Sequence, residues 1–285
     1  MLPRSRKSEA RKVTGLAMHN HKPVLYNLPK YYDLAFDRDM THEIEFYQNC
    51  FKKYAPEIKV RRILEPACGT GILLEYLARA GYQCVGYDLS ESMVSYSNHR
   101  LMQKKLHERA QAVLGDMRTK YFTKLFDAAI ICINSLGYLT NDTDIINHFK
   151  AISRSLVPGG LYITEISCAC DNILNEKKPD ETWTVEQGAI KLTLTWAPTW
   201  YDYQKKIRHV DFFMKGKEYD QEFELEEGHD LRLWLFDDLV QFAKAGEFQL
   251  VGIYTQEFKE IPLGRKITGE DGVLYFIMKN LTAKD

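Results

Sequence analysis

Residues 60–80, VRRILEPACGTGILLEYLARA, contain the transition that decides the fold. Val60–Leu64 is a short apolar run typical of a buried strand. Gly71–Ala80 repeats leucine at helical spacing, and Gly81 then ends the helix. Between them, the glycines of Glu65–Gly71 let the backbone approach a ligand at a helix N-terminus. The stretch predicts a strand, a ligand-binding loop and a helix.

Strand and helix patterns alternate on both sides of this unit. A helical pattern covers Tyr31–Tyr54, with Thr41 as a predicted cap inside it. The nearly all-apolar run Phe126–Ile133 is typical of a strand buried on both faces of a parallel sheet. The other predicted strands are Gln83–Tyr87, Ala112–Leu114 and Leu161–Ile166, and the other predicted helices are Ser90–Arg100, capped by Ser90, and Asp144–Leu156. Alternation of this kind predicts an α/β fold with a doubly wound, mostly parallel sheet.

The alternation stops at residue 168. Residues 168–234 contain the runs IKLTLTW, IRHVDFFM and QEFELEE, which predict antiparallel strands with one solvated face, and they contain all four tryptophans. A helix at Phe236–Ala245 and strands at Gln249–Tyr254 and Val273–Met278 follow. We therefore expect an α/β domain formed by residues 26–167 and 235–285, with 168–234 as a β-rich insertion that covers the substrate or forms a dimer contact. The basic segment 1–25 is expected to be a disordered tail, with a targeting segment as the alternative.

Composition limits the function. The chain has 285 residues, with 38 Lys and Arg against 39 Asp and Glu, a net charge of −1 that argues against a nucleic-acid partner. No apolar run is long enough to span a membrane. The six cysteines lack paired C-x-x-C spacing, so we expect reduced thiols, no metal site and a cytoplasmic protein. Both a monomer and a homodimer fit the sequence.

Two aspartates suggest how a nucleotide is held. Asp88 ends the second strand, where a carboxylate can accept the hydroxyls of a ribose. Asp116 follows the third strand in Gly115-Asp116-Met117, where it is either an adenine contact, with Met117 packing on the ring, or a simple turn aspartate. In the pattern G-x-G-x-x-G, the third glycine is replaced by Leu74. This departure disfavours a nicotinamide oxidoreductase, which stays as the alternative enzyme class.

Five segments together resemble the class I S-adenosylmethionine (SAM)-dependent methyltransferases. They are EPACGTG, YDLSESMV, GDM, FDAAIICINSLGYL and LVPGGLYI. The resemblance covers about residues 30–166 and, more loosely, 235–280. It implies a Rossmann-like sheet of seven strands, in which Gln249–Tyr254 and Val273–Met278 are strands six and seven and the last strand is antiparallel. It also implies SAM as the methyl donor and S-adenosylhomocysteine (SAH) as the product.

The resemblance further implies a set of cofactor-binding residues. The backbone of Ala67, Gly69 and Gly71 would cradle the methionine part, and Glu65 would receive its ammonium through water. The residues implied for the rest of the cofactor are Asp88 at the ribose, Leu89 and Met93 at the adenosine, Asp116 and Met117 at the adenine, and Ile133 and Asn134 at the methyl-donor end.

On the acceptor side, the layout is similar to that of glycine N-methyltransferase-like enzymes and sugar-amine N-methyltransferases. These also have an N-terminal Tyr-Asp segment, here Tyr31-Tyr32-Asp33, and a β-rich insertion after strand five. The likeness implies that Tyr32 closes over the cofactor with its hydroxyl towards the methyl group, and Tyr138 is a second candidate. The segment Asn134–Gly137 lacks the N/D-P-P-Y/F motif of enzymes that methylate nucleic-acid bases.

The sequence therefore predicts in-line methyl transfer from SAM to N or O of a small molecule, with a non-catalytic SAM-binding protein as a further alternative. His209 and His229 are candidate bases, although a single histidine in a strand is more often structural. The insertion carries fourteen acidic residues against nine basic ones, which suggests a cationic acceptor.

Overall fold

The structure, a computed structural model, describes residues 11–14, 24–170 and 180–282. Its helices are α1 (Pro29–Phe36), α2 (Thr41–Tyr54), α3 (Ile72–Arg79), α4 (Glu91–Gln103), α5 (Asp142–Ser155) and α6 (Phe236–Ala245). Its strands are β1 (Arg11–Thr14), β2 (Arg62–Pro66), β3 (Gln83–Asp88), β4 (Ala110–Leu114), β5 (Phe126–Ile131), β6 (Leu156–Cys170), β7 (Glu181–Gln187), β8 (Ile190–Asp202), β9 (Ile207–Glu218), β10 (Gln221–Arg232), β11 (Trp234–Leu235), β12 (Phe248–Thr255), β13 (Glu260–Ile261) and β14 (Val273–Asn280).

The larger sheet has the strand order β13-β12-β14-β6-β5-β2-β3-β4. Strands β2 to β6 pair in parallel, whereas β14 is antiparallel to both β6 and β12. The seven predicted strands and the antiparallel last strand are thus confirmed. Two short strands were not predicted: β13 extends the edge at β12, and β11 pairs with the end of β6.

The second sheet has the order β1-β10-β9-β8-β7. Strands β7 to β10 are antiparallel, as predicted for an insertion after strand five, and β1 is parallel to β10. Trp234 was predicted to belong to the insertion. It lies instead in β11, which pairs with β6 of the larger sheet, and its ring packs against Phe242 in the core of that domain. Of the predicted tail, residues 1–10 and 15–23 lie outside the described residues, whereas Arg11–Thr14 forms β1.

Of the two predicted helix caps, Ser90 is confirmed and Thr41 is wrong. Ser90 caps α4, with its Oγ accepting the Met93 N–H at 3.3 Å. The helical stretch before β2 is divided into α1 and α2, and Thr41 is the first residue of α2 rather than its cap. Asp39 instead satisfies the N-terminal end of α2, because its Oδ1 accepts the backbone N–H and the hydroxyl of Thr41 at 2.9 and 2.6 Å.

Leu74 departs from the dinucleotide pattern for a packing reason. It is fully buried on α3 above Gly86 of β3, and a Cβ on Gly86 would lie 2.7 Å from Cδ1 of Leu74. The glycine that allows close helix–strand approach is therefore on the strand, and the helix position carries the larger side chain.

A buried histidine supports the loop after β4. Nδ1 of His148 donates to the carbonyl of Met117 at 2.8 Å, and its Nε2 accepts from the hydroxyl of Tyr162 at 2.6 Å. Burial lowers the pKa of His148 to about 4. Both ring nitrogens are therefore satisfied by the neutral ring, and protonation would remove the acceptor that Tyr162 needs.

This histidine predicts acid-sensitive stability. The unfolded chain binds a proton on His148 near its ordinary pKa of about 6.5, whereas the folded chain binds it only near 4. Its contribution to the free energy of unfolding is complete above pH 6.5 and is lost as the pH falls towards 4, by about 3 kcal/mol in total. Urea unfolding from pH 7 to pH 4 measures this. In His148→Gln, which keeps a donor and an acceptor, that part of the pH dependence should vanish. Identical pH slopes in the two proteins would contradict the assignment.

Candidate active site

Three residues of the loop between β2 and α3 have a left-handed backbone conformation. The φ angles of Ala67, Gly69 and Gly71 are 53°, 50° and 79°. At Gly71 a side chain is excluded, because a Cβ would lie 2.2 Å from Oγ of the buried Ser97 on α4. The loop backbone thus leads directly into the N-terminus of α3 and packs against the middle of α4.

Asp88 connects this loop to α4. Its Oδ2 accepts the Gly69 N–H, and its Oδ1 accepts the Ser90 N–H, each at 2.9 Å. Burial raises the pKa of Asp88, against the lowering effect of these backbone hydrogen bonds. The carboxylate that was predicted at a ribose also fixes the loop's position.

Glu65 lies buried at the end of β2. Its Oε2 has no hydrogen-bond partner among the described residues. Burial, and then the charge of Asp88, raise its pKa well above the usual value. A buried acceptor without a partner, next to the loop residues Ala67 and Gly69, fits a cationic group such as the ammonium of SAM's methionine part.

Two cavities meet beyond this loop. The smaller one is lined by Glu65, Ala67 and Gly69, among others, and the larger one, of about 320 Å³, lies between the two sheets. Their walls have five residues in common: Tyr32, Phe36, Arg38, Ile133 and Ser135. A molecule in one cavity therefore lies next to a molecule in the other.

The loop after β5 forms part of this junction in a strained conformation. Ile133 and Asn134 have φ angles of 54° and 52°, which is unusual above all for the β-branched Ile133. The Ile133 N–H donates to Oε2 of Glu165 at 3.1 Å, and Oδ1 of Asn134 accepts the Ser167 N–H at 3.2 Å. These contacts with β6 hold Ile133 at the cavity wall.

Tyrosines close the larger cavity on one side. The hydroxyls of Tyr26 and Tyr138 lie 2.5 Å apart, and the ring of Tyr32 lies 5.7 Å from that of Tyr26. Burial raises the pKa of all three phenols. They are therefore neutral near pH 7 and can form hydrogen bonds but do not act as phenolate bases.

Tyr26 and Tyr32 belong to a segment, residues 24–36, that is bound on both sides. On the insertion side, Oε2 of Glu227 accepts the N–H groups of Val24 and Leu25 at 2.5 and 3.1 Å. On the other side, Asp33 forms an ion pair with Arg100. The Ser90 hydroxyl, next to Asp88, donates to the Tyr26 carbonyl at 2.7 Å. The N-terminal segment 24–36 thus joins the insertion to the glycine-rich loop.

The predicted site residues fall into two groups. Tyr32, Tyr138, Glu65, Ala67, Gly69, Ile133 and Asn134 line the two cavities. Gly71, Asp88, Leu89, Met93, Asp116 and Met117 line neither cavity. Leu89 is exposed and Met93 fully buried. Arg118 binds both carboxylate oxygens of Asp116 and lowers its pKa.

The two candidate histidines lie outside the larger cavity's wall. His209 stacks on the exposed Trp200, with Nδ1 2.6 Å from Asp230. His229 stacks on Trp196, with Nε2 2.9 Å from Oε1 of Glu227.

Many wall residues were not predicted from the sequence, among them Tyr26, Arg38 and Glu165. The only signal was Glu165, a carboxylate in the apolar run LYITEIS.

The described residues show no metal site, no membrane-spanning helix and, at four buried cysteines, no disulfide. Among the described residues, no group of three or more His, Cys, Asp and Glu side chains is arranged to hold a metal ion. The described part of the chain contains no helix that is long and apolar enough to cross a membrane. Cys50, Cys68, Cys84 and Cys132 are free, buried thiols.

Comparisons with known proteins identify the family of the chain. A family model described as "Methyltransferase domain" matches residues 63–160. A Bacillus subtilis protein named "Putative methyltransferase YqeM" is 30% identical over 195 residues, which cover 66% of this chain and 74% of that protein. A dTDP-3-amino-3,4,6-trideoxy-alpha-D-glucopyranose N,N-dimethyltransferase of Streptomyces venezuelae is 28% identical over 137 residues, covering 47% of this chain and 54% of that one.

The fold has a counterpart among solved structures. A SAM-dependent methyltransferase from Clostridium acetobutylicum superposes with a TM-score of 0.71 at 18% identity, covering 90% of this chain and 99% of that one. The nicotinamide oxidoreductase alternative is not supported, since the relatives are methyltransferases. The match to YqeM, across about two thirds of this chain's length, and the matching domain model together show that the chain belongs to the SAM-dependent methyltransferases.

Proposed function

We propose that the protein methylates N or O of a small molecule held in the larger cavity. The observation that supports this most directly is the wall that the two cavities share. A donor seated on the glycine-rich loop and an acceptor in the larger cavity would be in contact at Tyr32 and Ile133.

In this proposal, the loop and its neighbours hold SAM. Glu65 receives the methionine ammonium, and the backbone at Ala67, Gly69 and Gly71 surrounds the methionine part. The ribose and adenine lie along Asp88, Leu89, Met93, Asp116 and Met117, and Ile133 and Asn134 face the methyl-donor end. The unpartnered Oε2 of Glu65 is the structural support for this orientation.

SAM supplies a methyl group on a sulfonium, whose departure as a neutral thioether needs little acid catalysis. The protein's task is to exclude water and align the acceptor. The phenol oxygen of neutral Tyr32, at the junction of the cavities, is suited to accept a hydrogen bond from an N–H or O–H of the acceptor and so to direct the acceptor's lone pair at the methyl group. Tyr138 lines only the larger cavity and is suited to position the acceptor there. The insertion contributes Trp183 and Trp196 to the opposite wall, which supports its role as a substrate cover.

The acceptor is a small molecule in this proposal. A volume of about 320 Å³ lies at the lower end of small-molecule sites. The relative in Streptomyces venezuelae is named for its action on an amino sugar nucleotide, which supports an acceptor of sugar size.

Calorimetric titration with SAM and SAH, with NADH as a control, tests the donor assignment. We expect micromolar SAM binding and no NADH heat. A screen of amines and phenols with SAM, read by mass spectrometry, then identifies the acceptor. A folded protein that binds neither SAM nor SAH would refute the proposal, and one that binds SAM but methylates nothing would favour a non-catalytic role.

Tyr32 is the candidate for direct action on the acceptor. Tyr32→Phe removes one hydroxyl at the junction and is expected to lower kcat about tenfold, the value of one hydrogen bond in the transition state. Tyr31→Phe is a matched control, because the Tyr31 hydroxyl binds Glu218 at 2.8 Å, outside both cavities. Equal kcat values for the two variants would remove Tyr32 from the mechanism.

A further inference from the structure

Glu165 is a buried carboxylate in the wall of the larger cavity. It lies on β6, its side chain is 5% exposed, and its Oε2 accepts the N–H of Ile133 at 3.1 Å. Ile133 is the residue proposed at the methyl-donor end. Glu165 therefore places negative charge beside the position at which the methyl group would be transferred.

The surroundings of Glu165 neutralise this charge only in part. Nη2 of Arg38 lies 3.6 Å from Glu165 and 3.5 Å from Glu43, so one guanidinium serves two carboxylates. Burial and then the charge of Glu165 raise the pKa of Cys132 and Tyr275, which are therefore neutral. Within the cluster of Glu165, Glu43 and Arg38, one negative charge is left in excess, and the two other charged residues of the cavity wall, Glu181 and Arg208, have opposite signs.

The negative charge of Glu165 affects neutral and anionic nucleophiles differently. A neutral amine becomes positive as its N–C bond forms and the methyl–sulfur bond breaks, with that bond's electron pair left on sulfur. A buried negative charge stabilises this transition state more than the ground state. An oxyanion approaches with negative charge and is repelled by the same carboxylate.

We propose that the acceptor atom is a neutral amine nitrogen and that Glu165 selects it by stabilising the ammonium formed on transfer. The new ammonium loses its proton to water after release. This inference rests on the proposed function and resolves its choice between N and O.

The test compares a cation with a neutral molecule of the same shape. The full-length protein, saturated with SAH, is titrated with benzylamine and with benzyl alcohol, and binding is read from the fluorescence of Trp183 and Trp196 in the cavity wall. We expect the protonated amine to bind at least tenfold more tightly than the alcohol. Glu165→Gln should lose this preference.

Glu43→Gln is a second, graded test. It lies in neither cavity wall, but it leaves Arg38 to Glu165 alone and so removes the excess charge, and the amine preference should weaken while SAH binding is unchanged. An amine that binds no better than the alcohol in the wild type, or not at all, overturns the inference even if Glu165→Gln fails to fold. A preference that survives in folded Glu165→Gln overturns it too. SAH binding in the same samples separates this failure from a failure of the proposed cofactor site, in which SAH would not bind either.

Discussion

Replacement of Asp88 by alanine is expected to weaken SAM binding by at least about a hundredfold. The change removes the proposed acceptor for two ribose hydroxyls, and hydrogen bonds to a charged group contribute about 1.5–3 kcal/mol each. It also removes the partner of the Gly69 and Ser90 N–H groups, which fix the loop against α4. Calorimetry with SAH measures the affinity, and circular dichroism checks the fold.

Asp88→Asn separates these two effects. The amide retains one oxygen acceptor at nearly the same volume, so the loop should keep one backbone contact while the charge is lost. We expect an affinity between those of the wild type and Asp88→Ala. If Asp88→Ala binds SAH like the wild type, then Asp88 does not bind the ribose.

Substitution of Gly71 is expected to have the largest effect on stability. In Gly71→Ala, the new Cβ would lie 2.2 Å from Oγ and 3.0 Å from Cβ of Ser97, at a φ of +79° that already disfavours a side chain. Left-handed strain costs about 1–2 kcal/mol. Overpacking adds about 1–3 kcal/mol. The free energy of unfolding should fall by about 3 kcal/mol, with loss of SAM binding, in urea titrations and calorimetry.

Gly81→Ala is the control for strain alone. Gly81 has a φ of +98°, yet a Cβ there meets nothing within 4 Å. It should lose only about 1 kcal/mol and keep its SAM affinity. Equal losses in the two variants would show that backbone strain, and not the contact with Ser97, makes Gly71 necessary.

The central fold was predictable because its signals are local. Apolar runs such as Phe126–Ile133, the glycines after β2 and the Ser90 cap each act within a few residues, and all three appear in the structure. A local signal also led to one wrong prediction, the helix cap at Thr41. Thr41 is a good cap residue, but Asp39 two positions earlier accepts its hydrogen bonds and caps the turn.

The larger cavity was much less predictable, because its wall is assembled over long sequence distances. Arg38, between α1 and α2, lies near Glu165 of β6 only in the folded chain, and nothing near Arg38 in the sequence indicates a charge in a cavity wall. Trp234 was the last residue of the predicted insertion, whereas its backbone pairs with β6. Such placements depend on tertiary pairing, which hydrophobic periodicity does not encode.

The contacts of the N-terminal segment 24–36 bear on how the protein is made. Val24 and Glu227 are 203 positions apart, so the segment leaves the ribosome long before its partner on β10 has been synthesised. Contacts of such long range form slowly and late in folding. Tyr26, Tyr32 and Phe36 consequently remain without their partners in the insertion for most of translation, when chaperones and proteases can reach them. Closure of the larger cavity is thus a last step of biogenesis, and a nascent chain can contain a folded glycine-rich loop well before it contains a complete enzyme.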